Sequence, residues 1–306
     1  MLLQLIFDRI KSMQNRILIV GAGEIGSALS GVFRKNKNNR LSIWDIDPKR
    51  CFPKEPLEKM ASKADFLFLC IPSHAIDACI DKVKKYIGKK TFIISLTKGI
   101  ERKKGFLTSE LLVKSFGKER IAILAGPMLA EELRGGFETK ACLATSNQAF
   151  KKISPLFSNT ILSVERLDDI HGASASGILK NIYSLGLGIA AGLKMGANAR
   201  GILLLQATRE MQALMPEFKG KPSTVLSLAG LGDLEATSSS EYSKNHATGL
   251  MIAKGKKITH YCEGDLSLPL VVKRLGKKKL PPFMAAISQV AHGKKNPRKI
   301  FESLLK

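Results

Sequence analysis

The chain has 306 residues, 44% of them hydrophobic and 25% charged, the balance of a globular protein rather than a disordered, collagen-like or low-complexity one. No apolar run approaches the roughly 20 residues a membrane-spanning helix needs. The 49 Lys and Arg residues against 26 Asp and Glu leave a net charge of +23, which favours anionic ligands such as phosphorylated metabolites and nucleotides. Lysine clusters such as Lys256-Lys257, Lys277 to Lys279 and Lys294-Lys295 read as a solvated surface. The 5 cysteines, at 51, 70, 79, 142 and 262, form no Cys-x-x-Cys pair. No metal site is expected from them, and a reducing, cytoplasmic compartment is. Residues 1–14 lack the apolar core of a signal peptide. They read as an amphipathic extra turn, or as sequence upstream of a start at Met13.

In chain order, Arg16 to Val20 reads as a strand that ends at a Gly-rich turn, followed by a helix over Ile25 to Phe33. Leu41 to Trp44 is a second strand, closed by Asp45. Phe66 to Ile71 is a continuous apolar run, as expected of a strand buried on both faces. A helix follows from Ser73, with Ser73 as its N-cap, to about Tyr86. Thr91 to Ser95, Ile121 to Leu124 and Ala141 to Thr145 supply further strands between helical patterns. Strands alternating with helices predict a doubly wound, mostly parallel sheet. After about Arg166 the pattern turns helical. Asp168 to Leu193 is one long apolar run, Asn198 to Met215 a second helix, and Leu268 to Lys306 an amphipathic, Lys-rich stretch. The expected organisation is α/β followed by all-α, with a domain over 1–166 (1–14 an extension) and an all-helical domain over 167–306.

Gly21-Ala22-Gly23-Glu24-Ile25-Gly26 has the spacing of a dinucleotide turn. The first Gly permits the tight turn, the second lets backbone approach a diphosphate, and the third allows close helix–strand packing. The helix N-terminus then receives the anion. Asp45 stands where a carboxylate would take the adenosine ribose hydroxyls and repel a 2′-phosphate. NAD(H) is therefore favoured, with NADP(H) kept open by Lys49 and Arg50 nearby. Pro72 and Ser73 end the third strand at the ligand-binding edge of such a sheet, as does Lys98 the next. Lys180 lies in the apolar run Ser176 to Leu193, and a lysine there is costly to bury unless paired or functional. Desolvation would lower its pKa and suit it to proton transfer. Leu228 to Leu234 is a Gly-rich loop that carries Asp233. Thr237, Ser243, Lys244 and Asn245 follow with the composition of a phosphate pocket.

Taken together these segments resemble the bacterial-type NAD(P)-dependent glycerol-3-phosphate dehydrogenases. The resemblance runs in order through nearly the whole chain after Met13. Its markers are Gly21 to Gly26, Ile71-Pro72-Ser73-His74, Thr97-Lys98-Gly99-Ile100-Glu101, Ala125-Gly126-Pro127, Leu179-Lys180-Asn181, Asn198-Ala199-Arg200, Leu228 to Leu234, Ser243-Lys244-Asn245 and Glu263-Gly264. It implies a Rossmann domain joined to a helical substrate domain of the 6-phosphogluconate dehydrogenase C-terminal type, in a homodimer. The implied reaction is reversible hydride transfer between NAD(P)H and dihydroxyacetone phosphate, giving sn-glycerol 3-phosphate for glycerophospholipid synthesis.

By the same resemblance Lys180 is the general acid and base, with Lys98 and Asp233 as further catalytic residues. Lys98 would touch both substrate and cofactor, and Asn181 and Asp233 would order the reacting end. Thr237, Ser243, Lys244 and Asn245 would hold the phosphate, and Gly126 would contact substrate. Gly21, Gly23, Glu24, Ile25, Gly26, Asp45, Pro72, Ser73, Lys98, Ala130, Lys244 and Glu263 would bind the cofactor.

Four features depart from the family pattern. Lys244 stands where Arg is usual, Met128 where Ser is usual, Glu24 puts a carboxylate into the Gly-rich turn, and the connection from Asp47 to Ala64 is short. Two other readings compete: a related β-hydroxyacid dehydrogenase acting on another substrate, and a non-catalytic nucleotide- or nucleic-acid-binding Rossmann protein. Against the first stand the segments from Leu228 to Asn245. Against the second stands the lack of aromatic platforms or a recognisable module, so no specific nucleic-acid partner is expected.

Overall fold

The computed structural model describes residues 14–101, 105–258, 262–276, 280–293 and 296–306. The N-terminal extension and the lysine clusters at 277–279 and 294–295 lie outside the described residues. The chain divides into two units. One comprises residues up to Thr97 with Leu111–Leu124 and Ala130–Asp168, the other Lys98–Glu110, Ala125–Leu129 and Asp169 to the C-terminus.

The first unit is a seven-stranded sheet of order β2-β1-β3-β4-β5-β6-β7. Its strands are β1 (Asn15–Val20), β2 (Asn39–Trp44), β3 (Phe66–Leu69), β4 (Phe92–Ser95), β5 (Ile121–Ala125), β6 (Thr139–Ala144) and β7 (Leu162–Leu167). Every pairing whose register is described is parallel. Strands β3 and β5 are apolar and buried at every position, as parallel strands covered on both faces must be. Val20 is paired with both Trp44 and Leu69, so the carboxyl ends of β1, β2 and β3 stand side by side. Helix α1 (Glu24–Arg34) buries Ala28, Leu29, Val32 and Phe33, and the Phe33 ring packs 4.8 Å from Phe68. Exposed cations gather at the opposite edge: Lys35 and Lys37 precede β2, and Lys89 and Lys90 precede β4.

Two expectations need correction here. The strand begun at Phe66 stops at Leu69, and Ser73 does not cap the next helix. Pro72 stands at the N-cap position of a short 3-10 turn, Ser73–Ala75, with no side-chain cap, and α-helix starts only at Ile76. The Ser73 hydroxyl therefore sits inside the first turn, one residue too late to cap it. Strand β7 adds an edge that the sequence pattern did not predict.

The second unit is built around a 23-residue helix, Ile170–Gly192, buried at nearly every position, as a helix apolar on all sides must be. Asp169 caps it by accepting from Gly172 N at 2.9 Å. Among the described residues, five helices pack around it, Ala197–Leu214, Asp233–Ser239, Lys244–Ala253, Glu263–Leu275 and Pro282–His292. The stretch read as one amphipathic C-terminal pattern is thus split, and Pro297–Ser303 follows as a further short helix. The 170–192 and 244–253 helices cross through glycine. A Cβ on Gly188 would stand 2.2 Å from His246 O, and one on Gly249 would stand 2.2 Å from Leu185 O. Glu210, buried, accepts from Tyr183 Oη at 2.9 Å and from Phe283 N at 2.7 Å, tying three of these helices together. Among the described residues no helix is long and apolar enough to cross a membrane.

Candidate active site

The Gly-rich turn forms at the carboxyl end of β1, where Gly21 N donates to Trp44 O at 2.8 Å. Gly21 has φ +100°, and a Cβ there would meet Cys70 O at 2.5 Å. A Cβ on Gly26 would meet Gly21 O at 1.9 Å. Both positions therefore require glycine for packing. Gly23 differs: nothing lies within 4 Å of its Cβ position, and no side chain caps the helix that follows. Open space beside uncapped helical N–H groups is a cradle that a diphosphate fits.

Asp45 closes β2 against this turn. Its Oδ2 accepts from Ala22 N at 2.6 Å and its Oδ1 from Asp47 N at 2.9 Å. The carboxylate thus braces the turn as well as facing it. Arg50 Nη1 approaches Ala22 O at 3.4 Å, and a cavity of about 400 Å³ is lined by Ala22, Gly23, Glu24, Ser27, Ile43 and Arg50. Pro72 and Ser73 leave β3 at the same edge of the sheet. Ala130 opens the short helix Ala130–Gly135. Ile25 is the second residue of α1. Glu24, the carboxylate out of place by its chemistry, is turned onto Arg134, with Nη2 2.6 Å from Oε2.

In the second unit Lys180 and Asn181 lie on the buried face of the 170–192 helix, 5% and 3% exposed. A π-helical turn, Leu228–Gly232, delivers Asp233 to the start of the helix Asp233–Ser239. Lys180 Nζ donates to Thr237 Oγ1 at 2.6 Å and lies 3.1 Å from Asp233 Oδ1. Lys98 Nζ takes the other Asp233 oxygen at 2.7 Å. One carboxylate therefore bridges two ammonium groups.

Burial pulls Lys180 down from its ordinary 10.5 to about 7, against the upward pull of Asp233 and with help from Lys98. Burial acts to raise the Asp233 carboxyl, but the two lysines outweigh it and hold it below the ordinary range. Gly177, not singled out in the sequence, makes room for this pairing: its Cβ position lies 3.3 Å from the Lys98 stem. A small residue one turn before Lys180 was the only local signal.

The remaining residues form a second group. Asn245 Nδ2 donates to Asn181 Oδ1 at 2.9 Å, and Asn245 Oδ1 accepts from Gly264 N at 2.8 Å. Asn245 is thus a hub joining three helices, with one N–H left for a ligand. Ser243 caps the 244–253 helix by accepting from His246 N at 3.2 Å. Lys244 follows it, exposed, and Glu263 opens the 263–275 helix, half-buried. Gly126, at φ +135°, packs with this unit.

Residues 48–151 match the NAD-dependent glycerol-3-phosphate dehydrogenase N-terminal domain, and residues 169–302 match its C-terminal domain. The glycerol-3-phosphate dehydrogenase [NAD(P)+] of Alcanivorax borkumensis is 30% identical over 80% of this chain and 78% of its own. That of Halothermothrix orenii is 29% identical over 93% of both. Among solved structures, glycerol-3-phosphate dehydrogenase from Coxiella burnetii superposes with a TM-score of 0.85 at 28% identity, covering 96% of this chain and 99% of that one. D-mandelate dehydrogenase, at 16% identity and a TM-score of 0.58, shares the fold alone. The two domain matches together span most of the chain, and the chain belongs to the NAD(P)-dependent glycerol-3-phosphate dehydrogenases.

Proposed function

We propose that the protein interconverts dihydroxyacetone phosphate and sn-glycerol 3-phosphate, with Lys180 as the proton donor in reduction and acceptor in oxidation. The observation that carries this is the buried Lys180 ammonium between Asp233 and Thr237, brought to about 7. The Gly21–Gly26 cradle and Asp45 would hold NAD(P)H, the group that would supply the hydride. Lys180 meets the negative charge that develops on the carbonyl oxygen and delivers the proton. Thr237 and Asp233 engage two of the three Lys180 N–H groups and leave the third to point at substrate. Asp233 neutralises the second cation, Lys98, so that two ammonium groups can share one site.

Asn181 would orient the reacting end. Ser243, Lys244, Asn245 and Thr237 would take the phosphate, and Gly126 would lie against substrate. Pro72, Ser73, Ala130 and Glu263 would border the cofactor. Lys244 grips phosphate as a point charge, without the bidentate fork of Arg. A cytoplasmic homodimer supplying glycerophospholipid synthesis completes the reading.

The test is NADH oxidation with dihydroxyacetone phosphate by the wild type and Lys180→Ala. Loss of a proton donor costs about 10²–10⁴ in rate, while NADH binding, read by fluorescence, should persist. Wild-type turnover in the variant would overturn the role.

A further inference from the structure

Glu24 occupies the first position of α1, where the helix end and its free N–H groups attract anions. Its carboxylate would there oppose a diphosphate in the same cradle, or take its place. The structure provides it with another partner. Arg134, on the helix Ala130–Gly135, sets Nη2 2.6 Å from Glu24 Oε2 and Nη1 3.2 Å from the Glu24 carbonyl oxygen. One guanidinium thus holds both the side chain and the backbone of the same residue. Glu131, one turn back, lies 3.5 Å from that Nη2. Both partners are partly open to solvent, at 65% for Glu24 and 41% for Arg134, so the pair contributes little to folding. Its larger effect falls on a third charge nearby. The space beside Gly23 and the cavity that Glu24 helps to line are where that charge would sit.

We propose that Arg134 is a positioning residue for the cofactor diphosphate: it draws the Glu24 carboxylate toward the 130–135 helix and cancels its charge, leaving the N–H groups of the turn to the ligand. This rests on the dinucleotide reading of the Gly-rich turn. Arg134 acts through Glu24 and not by gripping the diphosphate. Its loss therefore harms cofactor binding only while Glu24 is present, and the two residues form a compensating pair.

The experiment is a fluorescence titration of NADH into the wild type, Arg134→Ala, Arg134→Lys, Glu24→Ala and the double variant Glu24→Ala/Arg134→Ala. Arg134→Ala should weaken binding about tenfold at low ionic strength and less at high salt, because the added repulsion is screened. Arg134→Lys should keep most of the affinity, since it keeps the charge. The double variant should return to within about twofold of the wild type. In turnover the KM for NADH should rise in Arg134→Ala much more than kcat falls.

Unchanged NADH affinity in Arg134→Ala would overturn the proposal. A double variant as weak as Arg134→Ala would overturn it too, and would mean that Arg134 holds the diphosphate directly. Ligand-free melting curves separate a binding loss from a folding loss, which the double variant would not repair. A wild type that binds no NADH would instead overturn the cofactor reading itself, and this inference with it.

Discussion

Lys180 Nζ lies 3.1 Å from Asp233 Oδ1, and the other oxygen of that carboxylate is held by Lys98 at 2.7 Å. A buried Asp between two lysines is a charge balance with one cation in surplus. Lys180, the more buried of the two lysines, is the one that burial brings down to about 7.

The sign of the pH dependence follows. With Lys180 as the proposed proton donor, reduction needs its protonated form, so kcat/KM for dihydroxyacetone phosphate should fall as pH rises through about 7. Oxidation needs the neutral amine and should rise over the same interval. Asp233 pulls the Lys180 pKa upward, so Asp233→Asn should move both limbs to lower pH as well as slow turnover. Profiles that keep their midpoint in Asp233→Asn would contradict the coupling.

Asp45 has two consequences for cofactor choice. Its carboxylate opposes a 2′-phosphate, so kcat/KM should favour NADH over NADPH. It also accepts from Ala22 N at 2.6 Å, so Asp45→Ser should weaken NADH use while improving NADPH relative to NADH by about tenfold or more. Arg50, 3.4 Å from Ala22 O, is the cation then left to meet the phosphate. Equal efficiency with both cofactors in the wild type would remove the argument.

Gly249 is where the helix bearing Ser243, Lys244 and Asn245 touches the helix bearing Lys180. A Cβ there would stand 2.2 Å from Leu185 O and 2.6 Å from Ile189 N, and backbone cannot yield cheaply. Gly249→Ala should cost about 1–3 kcal/mol or more. It should also raise the KM for dihydroxyacetone phosphate by pushing the proposed phosphate-binding residues away. Thermal melts and steady-state kinetics check the two effects separately. A variant as stable as the wild type would show that the helices can part without loss.

The fold was largely legible because its signals are local. Buried parallel strands such as Phe66–Leu69 read as unbroken apolar runs, and the Gly21–Gly26 turn is set by backbone sterics within six residues. Strand β7 escaped because it is an edge strand: Leu162 is buried, but Ser163 and Arg166 face solvent, so no continuous run marks it.

For the site, residue types and their order pointed to Lys98, Lys180 and Asp233, but not to how they share charge. Lys98 and Asp233 are 135 positions apart, and Glu24 and Arg134 are 110 apart. A pKa depends on burial and on charges a few ångströms away through space. The sequence by itself therefore determined the elements, the cradle and the chemical inventory. Only the tertiary structure decided that one carboxylate serves two lysines, that Lys180 lies near neutrality, and that an arginine from another helix takes up the carboxylate in the Gly-rich turn.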